Sequence, residues 1–372
     1  MTMESHHIFF PKNHRRLIDK FCGFCIGLPL FVELTREGFN LPQDHYSMMG
    51  ISLHSSMVAL LFLLPSFRFN RSNLLVILIF LVYLVICLFQ DFSRALFALQ
   101  SVYFFTFYFT LQSLHPHRLR VISLSALSAL ILFVVAHLVS IIFNSFFGMG
   151  EGYAWFWGLQ IYQAFLTYTI VLIFALWISG FIMQGRPRYI LFFTLVVLIL
   201  EMLLFRKAAL GVLMFYLIIY YPKIMFVLTF PTIVAAIIFI YNFPALIQSR
   251  LSFSRGNAWL DAVGLLSNDF IVLFGNGLNN YAHNLYLQIL TTHGLIYSVF
   301  YFSLLLLVVI SFIRNTPLVS SLFLIVIILI DWTVNANLLQ PYYAGVLALT
   351  LLTIKQNYSS SRSGVAYSAV IL

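Results

Sequence analysis

The sequence predicts an all-α fold, that of a polytopic integral membrane protein, from its composition, its hydropathy pattern and its charge distribution. Apolar residues make up 62% of the 372-residue chain and charged residues only 8%, whereas a soluble domain needs a largely polar surface. A membrane-spanning helix needs about 20 predominantly apolar residues, and the chain has room for roughly twelve of them. We therefore expect a single membrane domain over residues 1–372, with no soluble domain attached.

The predicted spans are apolar runs with short polar interruptions. The chain opens with the polar residues 1–20, and the first apolar run lacks the small-residue cleavage site of a signal peptide. Because that run is only about 14 residues long, it is expected to tilt, to re-enter or to extend into its neighbours. The twelve spans are predicted at residues 21–34, 46–66, 73–90, 93–114, 120–143, 155–180, 188–205, 207–221, 223–242, 285–312, 316–333 and 339–355.

The distribution of basic residues predicts the side of the membrane that each loop faces. Lys and Arg are enriched in cytoplasmic loops. With the N-terminus placed in the cytoplasm, fourteen of the 20 Lys and Arg residues fall on the cytoplasmic side. We therefore expect both termini to be cytoplasmic. The six basic residues on the outer side are Arg36, Arg94, Arg206, Lys207, Arg250 and Arg255.

One longer loop, residues 243–284, is expected on the outer side and carries short helices. Trp259 and Val263 have the spacing of an amphipathic helix that lies against membrane lipid. Further along, Gly275 and Gly277 flank an asparagine. Because glycine adopts a positive φ at no steric cost, this pattern predicts a tight turn.

Outer arginines oppose the general charge rule and therefore indicate a function. The guanidinium group presents a planar fork of donors that suits phosphate. Arg206 stands between two apolar runs, where a cation is costly. We expect Arg206, Arg250 and Arg255 to form a pocket for a phosphate-bearing lipid head group, although a solvated loop face also explains the last two. Arg94 either joins this pocket or pairs locally with Asp91.

A histidine closes the loop. His283 immediately precedes the span that begins at residue 285, which places its imidazole at the outer boundary of the membrane. Neutral imidazole has a pKa near 6.5 and accepts a proton at working pH. Asn284 either orients the imidazole or binds sugar hydroxyls, and Tyr286 either stacks on sugar or anchors the membrane interface. His283 is therefore the candidate general base.

The sequence argues against other kinds of site. His6, His7, His115 and His117 have no Cys or carboxylate partner at metal-ligand spacing, so no metal is expected. The chain has no nucleotide-binding loop and no serine nucleophile motif. A net charge of +9 suggests nucleic acid in a soluble protein, but here it follows from basic cytoplasmic loops, and no nucleic-acid partner is expected.

The order of these motifs resembles the shared region of the bacterial O-antigen polymerase and O-antigen ligase superfamily. The resemblance implies a metal-independent, inverting glycosyltransferase without a cofactor, which acts at the periplasmic face of the inner membrane on an undecaprenyl-diphosphate-linked glycan. It also implies a chain-length regulator as a partner. The residues that carry the resemblance lie between 206 and 294: Ser249-Arg250, Arg255, Trp259, Phe274-Gly275-Asn276-Gly277, His283-Asn284-Leu285-Tyr286-Leu287 and Gly294.

The resemblance also implies a role for individual residues. His283 would deprotonate the acceptor hydroxyl as that oxygen attacks the anomeric carbon. Arg206 and Arg255 would bind the diphosphate and stabilise the charge that develops on the leaving group. Arg250, Asn284, Tyr286 and the two glycines would line the substrate site.

Three functions remain open at this point. Polymerase and ligase share a donor and differ in their acceptor, which is another lipid-linked repeat or the lipid A core. The short chain, the compact loop and the 40 Phe residues favour the polymerase. A glycan flippase or another transporter predicts internal repeats, helices broken near mid-membrane and ionisable groups between the two faces. No repeat is visible in the sequence.

Overall fold

The computed structural model describes residues 12–28, 31–33, 52–67, 71–90, 92–147, 155–156, 159–160, 173–178, 192–194, 196–197, 207–223, 254–276, 284–334, 337–339 and 341–362. These residues are helical apart from a few turns and four strands of two or three residues. The predicted all-α class is therefore confirmed.

The helices are numbered in chain order. They are α1 (Lys12–Gly27), α2 (Ser55–Leu63), α3 (Arg71–Gln90), α4 (Phe92–Gln112), α5 (Pro116–Phe147), α6 (Lys207–Tyr220), α7 (Ser254–Leu265), α8 (Asp269–Phe274), α9 (Leu285–Arg314), α10 (Leu318–Val334) and α11 (Pro341–Arg362). Single 3-10 turns cover Leu64–Ser66 and Asn337–Leu339.

The four strands form two short antiparallel pairs. Strand β1 (Phe31–Glu33) pairs with β2 (Ser52–His54), and β3 (Trp155–Phe156) pairs with β4 (Leu159–Gln160). Three predicted spans were therefore wrong at their bounds. The first lies too late, because α1 covers Lys12–Gly27, and the second begins too early, because α2 begins only at Ser55. The sixth, predicted at 155–180, begins with strands β3 and β4. Pro29 follows α1 by two residues, and proline disfavours helical backbone in the residue before it.

One helix of the described residues is long and apolar enough to cross a membrane. It is α9, whose most apolar stretch has a mean hydropathy of 2.5 and is 33% buried within the protein. The other two thirds of that stretch are partly buried or exposed, which is compatible with a surface in contact with lipid. Shorter apolar helices cover Ser55–Ser66, Leu78–Phe89, Leu210–Tyr220 and Leu318–Trp332. The number of twelve spans stays a prediction.

Helices α1 and α5 pack with their backbones in close approach. A Cβ atom built on Gly23 lies within 3.0 Å of the Ile122 carbonyl oxygen, and one built on Gly27 lies within 3.0 Å of the Ala126 carbonyl oxygen. Glycines four residues apart lie on one face of a helix and permit this approach, as in small-xxx-small packing between membrane helices. The residue numbers rise together along both helices, so α1 and α5 run parallel.

An ion pair fastens one end of the same two helices. The Arg118 Nη2 atom of α5 is 2.8 Å from the Asp19 Oδ1 atom of α1, and Nε donates to both carboxylate oxygens at 3.1 and 3.0 Å. Nη1 donates to the Ser66 hydroxyl at 3.0 Å. Ser66 ends the 3-10 turn that follows α2, so the same arginine also holds this turn. The Asp19 side chain is only 4% exposed. A buried carboxylate needs such a partner because its transfer out of water is expensive.

Helices α6 and α10 run antiparallel with a regular register. The Tyr220 hydroxyl is 3.0 Å from the Ser320 hydroxyl, and the Tyr216 ring lies 5.3 Å from the Phe323 ring. At the other end, a Cβ atom on Gly211 would lie 3.9 Å from Ile330 Cγ2. The start of α6, directly after Arg206 in the sequence, therefore lies beside the end of α10.

The ion pair between Asp19 and Arg118 yields the first testable prediction. Arg118→Ala leaves a buried carboxylate without its cation, so we expect a loss of about 3 kcal/mol of stability. The measurement is the thermal unfolding midpoint of the purified protein in detergent. Arg120→Ala removes an exposed arginine two residues away and should leave the midpoint unchanged. Equal midpoints for the two variants would show that the ion pair contributes nothing to stability.

Candidate functional site

The structure describes part of the predicted site. Gly275, Asn284 and Tyr286 are described in full. Arg94 lies in α4 and Arg255 in α7, and only their backbones are described. The predicted residues outside the described ranges are Arg206, Arg250, Gly277 and His283.

Two glycines with positive φ organise this region. Gly275 has φ 73° and closes α8, and its N–H donates to the Ile271 carbonyl at 2.8 Å. Gly294 has φ 80° and ψ 174° inside α9. That conformation is essentially restricted to glycine. Gly294 therefore breaks α9 into a first arm, α9a (residues 285–293), and a second arm, α9b (residues 295–314).

The two glycines touch through their backbones, and we call this contact the glycine interlock. A Cβ atom on Gly275 would lie within 3.0 Å of the Thr292 carbonyl oxygen and the Gly294 nitrogen. A Cβ atom on Gly294 would lie equally close to the Leu273 carbonyl oxygen and the Gly275 nitrogen. The Asn276 N–H donates to the Thr291 carbonyl at 2.8 Å. The turn after α8 is thereby fixed to the end of α9a.

The break at Gly294 turns α9 back on itself. The rings of Tyr286 in α9a and Phe302 in α9b have centroids 5.3 Å apart, whereas a straight helix separates these positions by about 24 Å. The Tyr286 hydroxyl also reaches the Ile328 carbonyl of α10 at 3.5 Å. The two arms therefore enclose an acute angle, and Tyr286 of α9a contacts both α9b and α10.

This geometry corrects the predicted span at residues 285–312. Arm α9a does not continue in line with α9b, so only α9b of this segment is a straight helix long enough to cross a membrane. Its residues rise about 30 Å, which is the thickness of the hydrocarbon layer. Periodicity alone predicted a continuous helix because glycine inside a helix costs only about 1 kcal/mol relative to alanine.

Arm α9a is a buried element that carries polar residues. Asn284 begins it as N-cap, and its Oδ1 accepts from the Leu287 N–H at 3.0 Å. Asn284 is 7% exposed and Gln288 3% exposed. The N–H groups of a first helical turn carry a partial positive charge, and His283 precedes this turn directly in the sequence. The cap thus defines the start of the element that follows the predicted base in the sequence.

A polar cluster surrounds the break. His293, 4% exposed, is the last residue of α9a, and its Nδ1 lies 2.9 Å from the Tyr83 hydroxyl of α3. The Tyr83 ring stacks on Tyr297 of α9b at 4.2 Å. The Tyr297 hydroxyl is hydrogen-bonded to Ser101 of α4. Four helical segments therefore meet through polar groups at this point.

A second buried polar group lies near the start of α9a. Asp331 of α10 is fully buried, one helical turn beyond the Ile328 carbonyl that Tyr286 reaches. The Tyr343 hydroxyl of α11 lies beside the Asp331 carboxylate, and Trp332 Nε1 donates to that hydroxyl at 3.2 Å. These contacts offset part of the cost of burying the carboxylate.

Sequence reasoning did not select His293 or Asp331 for the site. Each stands alone in an apolar run, at no recognisable distance from another functional residue. The only signal in the sequence was that an ionisable side chain costs free energy inside an apolar helix. Ionisable residues within membrane helices therefore indicate function or structural pairing. Their partners, Tyr83 and Tyr343, are 210 and 12 residues away in the chain, so the pairing is a tertiary feature.

The chain matches no protein-family model, no curated protein and no solved structure. A function therefore has to be inferred from the residues and their arrangement. The relevant arrangement is the turn with Gly275 and Asn276, joined by backbone to the arm that Asn284 begins. Both parts belong to the motifs that the sequence singled out.

The glycine interlock predicts a strong effect of a single methyl group. Gly294→Ala should lower stability by more than about 2 kcal/mol, because alanine is strained at this φ and ψ and its Cβ meets backbone atoms. Gly264→Ala is the matched control, since a Cβ atom there has no neighbour within 4 Å. The thermal unfolding midpoint in detergent compares the two variants. If Gly294→Ala unfolds at the same temperature as Gly264→Ala, the interlock does not exist as described.

The cap at Asn284 predicts that an oxygen acceptor, not an amide, is required. Asn284→Ala should lower stability by about 1 kcal/mol, whereas Asn284→Asp should keep most of it. Unfolding midpoints of the two variants provide the measurement. If instead Asn284 only binds sugar, neither substitution changes the midpoint and both lower the output of glycan.

Proposed function

We propose that this chain is an O-antigen polymerase, which joins undecaprenyl-diphosphate-linked oligosaccharide repeats at the periplasmic face of the inner membrane. The observation that supports the proposal most is the glycine interlock. It unites two motifs of the resemblance, the Phe274–Gly277 turn and the His283–Gly294 element, through Gly275, Asn276 and the end of α9a. Motifs of one catalytic site need to be held together in this way.

The proposed topology follows the charge distribution. The chain crosses the membrane about twelve times, and both termini are cytoplasmic. The loop of residues 243–284 lies in the periplasm and includes α7 and α8. The membrane-crossing part of α9 is α9b, so the interlock lies at the outer end of this span.

The proposed reaction is a glycosyl transfer with inversion. His283 takes the proton of the acceptor hydroxyl, and the oxygen of that hydroxyl forms a bond to the anomeric carbon of the donor sugar. The bond between this carbon and the diphosphate oxygen breaks, and undecaprenyl diphosphate leaves with the bonding electrons. Arg206 and Arg255 stabilise its negative charge. A general base contributes typically about 10²- to 10⁴-fold to the rate.

Other residues of the proposed site bind substrate. Arg250 and Arg94 supply further donors for the diphosphate or the sugar. Tyr286 contacts Phe302 with its ring and in this site supports the arm behind Asn284. Gly275 permits the close approach of backbone that a side chain would prevent, and Gly277 is proposed to line the substrate site beside it.

Two alternative functions differ in what leaves the lipid carrier. An O-antigen ligase uses the same donor and transfers the glycan to the lipid A core. A flippase of lipid-linked glycan transfers nothing and carries the whole lipid across the membrane. Transporters use helices broken near mid-membrane, whereas the topology proposed here places the break at Gly294 at the outer end of a span.

A lipopolysaccharide gel distinguishes the three functions. A deletion strain is complemented with the unmutated gene, with His283→Ala or with His117→Ala, at matched membrane abundance. His117 is exposed at the start of α5 and serves as the control. For the polymerase we expect core plus a single repeat in the deletion strain, a ladder with the unmutated gene and with His117→Ala, and a loss of at least about 10²-fold in long chains with His283→Ala.

The other outcomes are equally specific. Core without any repeat, together with polymerised glycan on the lipid carrier, identifies the ligase. Loss of all periplasmic glycan, with lipid-linked repeats accumulating in the cytoplasmic leaflet, identifies the flippase. A complete ladder with His283→Ala contradicts the role of this residue as general base.

A further inference from the structure

A second histidine of this region, His293, lies directly before the break at Gly294. It is 4% exposed, and an ionisable side chain is costly inside an apolar helix unless its polar atoms are bound. Its Nδ1 lies 2.9 Å from the Tyr83 hydroxyl. We propose that this bond holds the glycine interlock in place, and that His293 is thereby a positioning residue for the glycosyl transfer, a role that rests on the function proposed above.

The surroundings of His293 fix its ring on several sides. Its ring centroid lies 4.7 Å from that of Tyr297 and 5.7 Å from that of Tyr83. Tyr83 and Tyr297 stack on each other at 4.2 Å, and Tyr297 is hydrogen-bonded to Ser101. The end of α9a therefore contacts α3 and α9b directly, and α4 only through Tyr297.

The interlock begins one residue away on either side. The Thr292 carbonyl and the Gly294 nitrogen are the atoms against which Gly275 packs. The Thr291 carbonyl accepts from the Asn276 N–H at 2.8 Å. A shift of His293 displaces these backbone atoms because they belong to the same helical turn. The turn that follows α8 is then displaced as well.

The chemistry of the bond explains why a polar ring occupies this position. Either the Tyr83 hydroxyl donates to an unprotonated Nδ1, or a ring N–H donates to the hydroxyl oxygen. A glutamine amide can act in both directions, whereas leucine can act in neither. His293→Gln should therefore keep the attachment, and His293→Leu should lose it. Tyr83→Phe removes the same bond from the other side.

Cross-linking measures the interlock without reference to any enzymatic activity. The backbone bond between Asn276 and Thr291 places their Cα atoms within about 7 Å, close enough for a disulfide. The full-length protein carries Asn276→Cys and Thr291→Cys, and mild oxidation forms the cross-link. The native Cys22, Cys25 and Cys87 are buried, and the variants with one engineered cysteine correct for their reaction.

The expected result is a parallel change in cross-linking and in polysaccharide output. His293→Leu and Tyr83→Phe should each lower the cross-link yield about three- to tenfold. In otherwise unmutated chains, the same substitutions should lower the output of long glycan by a similar factor. His293→Gln should preserve both quantities. Ser303→Ala, at an exposed position of α9b, is the control and should change neither.

Three other outcomes would decide against the proposal or against its basis. An unchanged cross-link yield in His293→Leu overturns the attachment itself. A reduced yield with unchanged glycan output shows that His293 stabilises the fold only, and overturns its positioning role. If the unmutated protein makes no polysaccharide, the proposed function fails, and with it the positioning role, while the cross-link yield still decides whether the bond holds the interlock.

Discussion

The backbone contact between Gly275 and Gly294 is the constraint on which the described site depends. Each glycine ends a helical segment with positive φ, and each occupies space that a Cβ atom on the other would need. The contact fixes the angle at which α9a leaves α9b. It also brings the turn after α8 to the arm that begins at Asn284. Without this contact, the turn after α8 and arm α9a would have no fixed position relative to each other.

Three buried ionisable side chains of the described residues each contact a polar or charged group on another helix. Asp19 pairs with Arg118, Asp331 lies beside the Tyr343 hydroxyl, and His293 bonds to Tyr83. Low dielectric strengthens such interactions and raises the cost of their loss. They therefore fix the relative positions of helices more specifically than apolar contacts, which tolerate rearrangement of similar side chains.

The folded-back arm α9a is compatible with an enzyme and with a transporter, but for different physical reasons. A broken helix is tolerated at membrane depth only where protein surrounds the exposed backbone or where it lines a cavity. Arm α9a satisfies the first condition, because Leu285, Ile289 and Thr291 are fully buried. This rigid setting suits a site that has to hold a base and a leaving group in fixed geometry. A transporter would need the same break to move between two arrangements.

The sequence by itself determined the class of the fold and the order of the motifs. Composition and hydropathy require buried or lipid-facing helices, and the glycine turn at Gly275 follows from local backbone preference, which needs no tertiary information. Only the tertiary structure decided that α9 folds back at Gly294 and that His293 and Asp331 have partners. A glycine in a helical run is compatible with a straight helix or a broken one, and the choice depends on what packs against it. Here that contact comes from Gly275, 19 residues earlier in the chain.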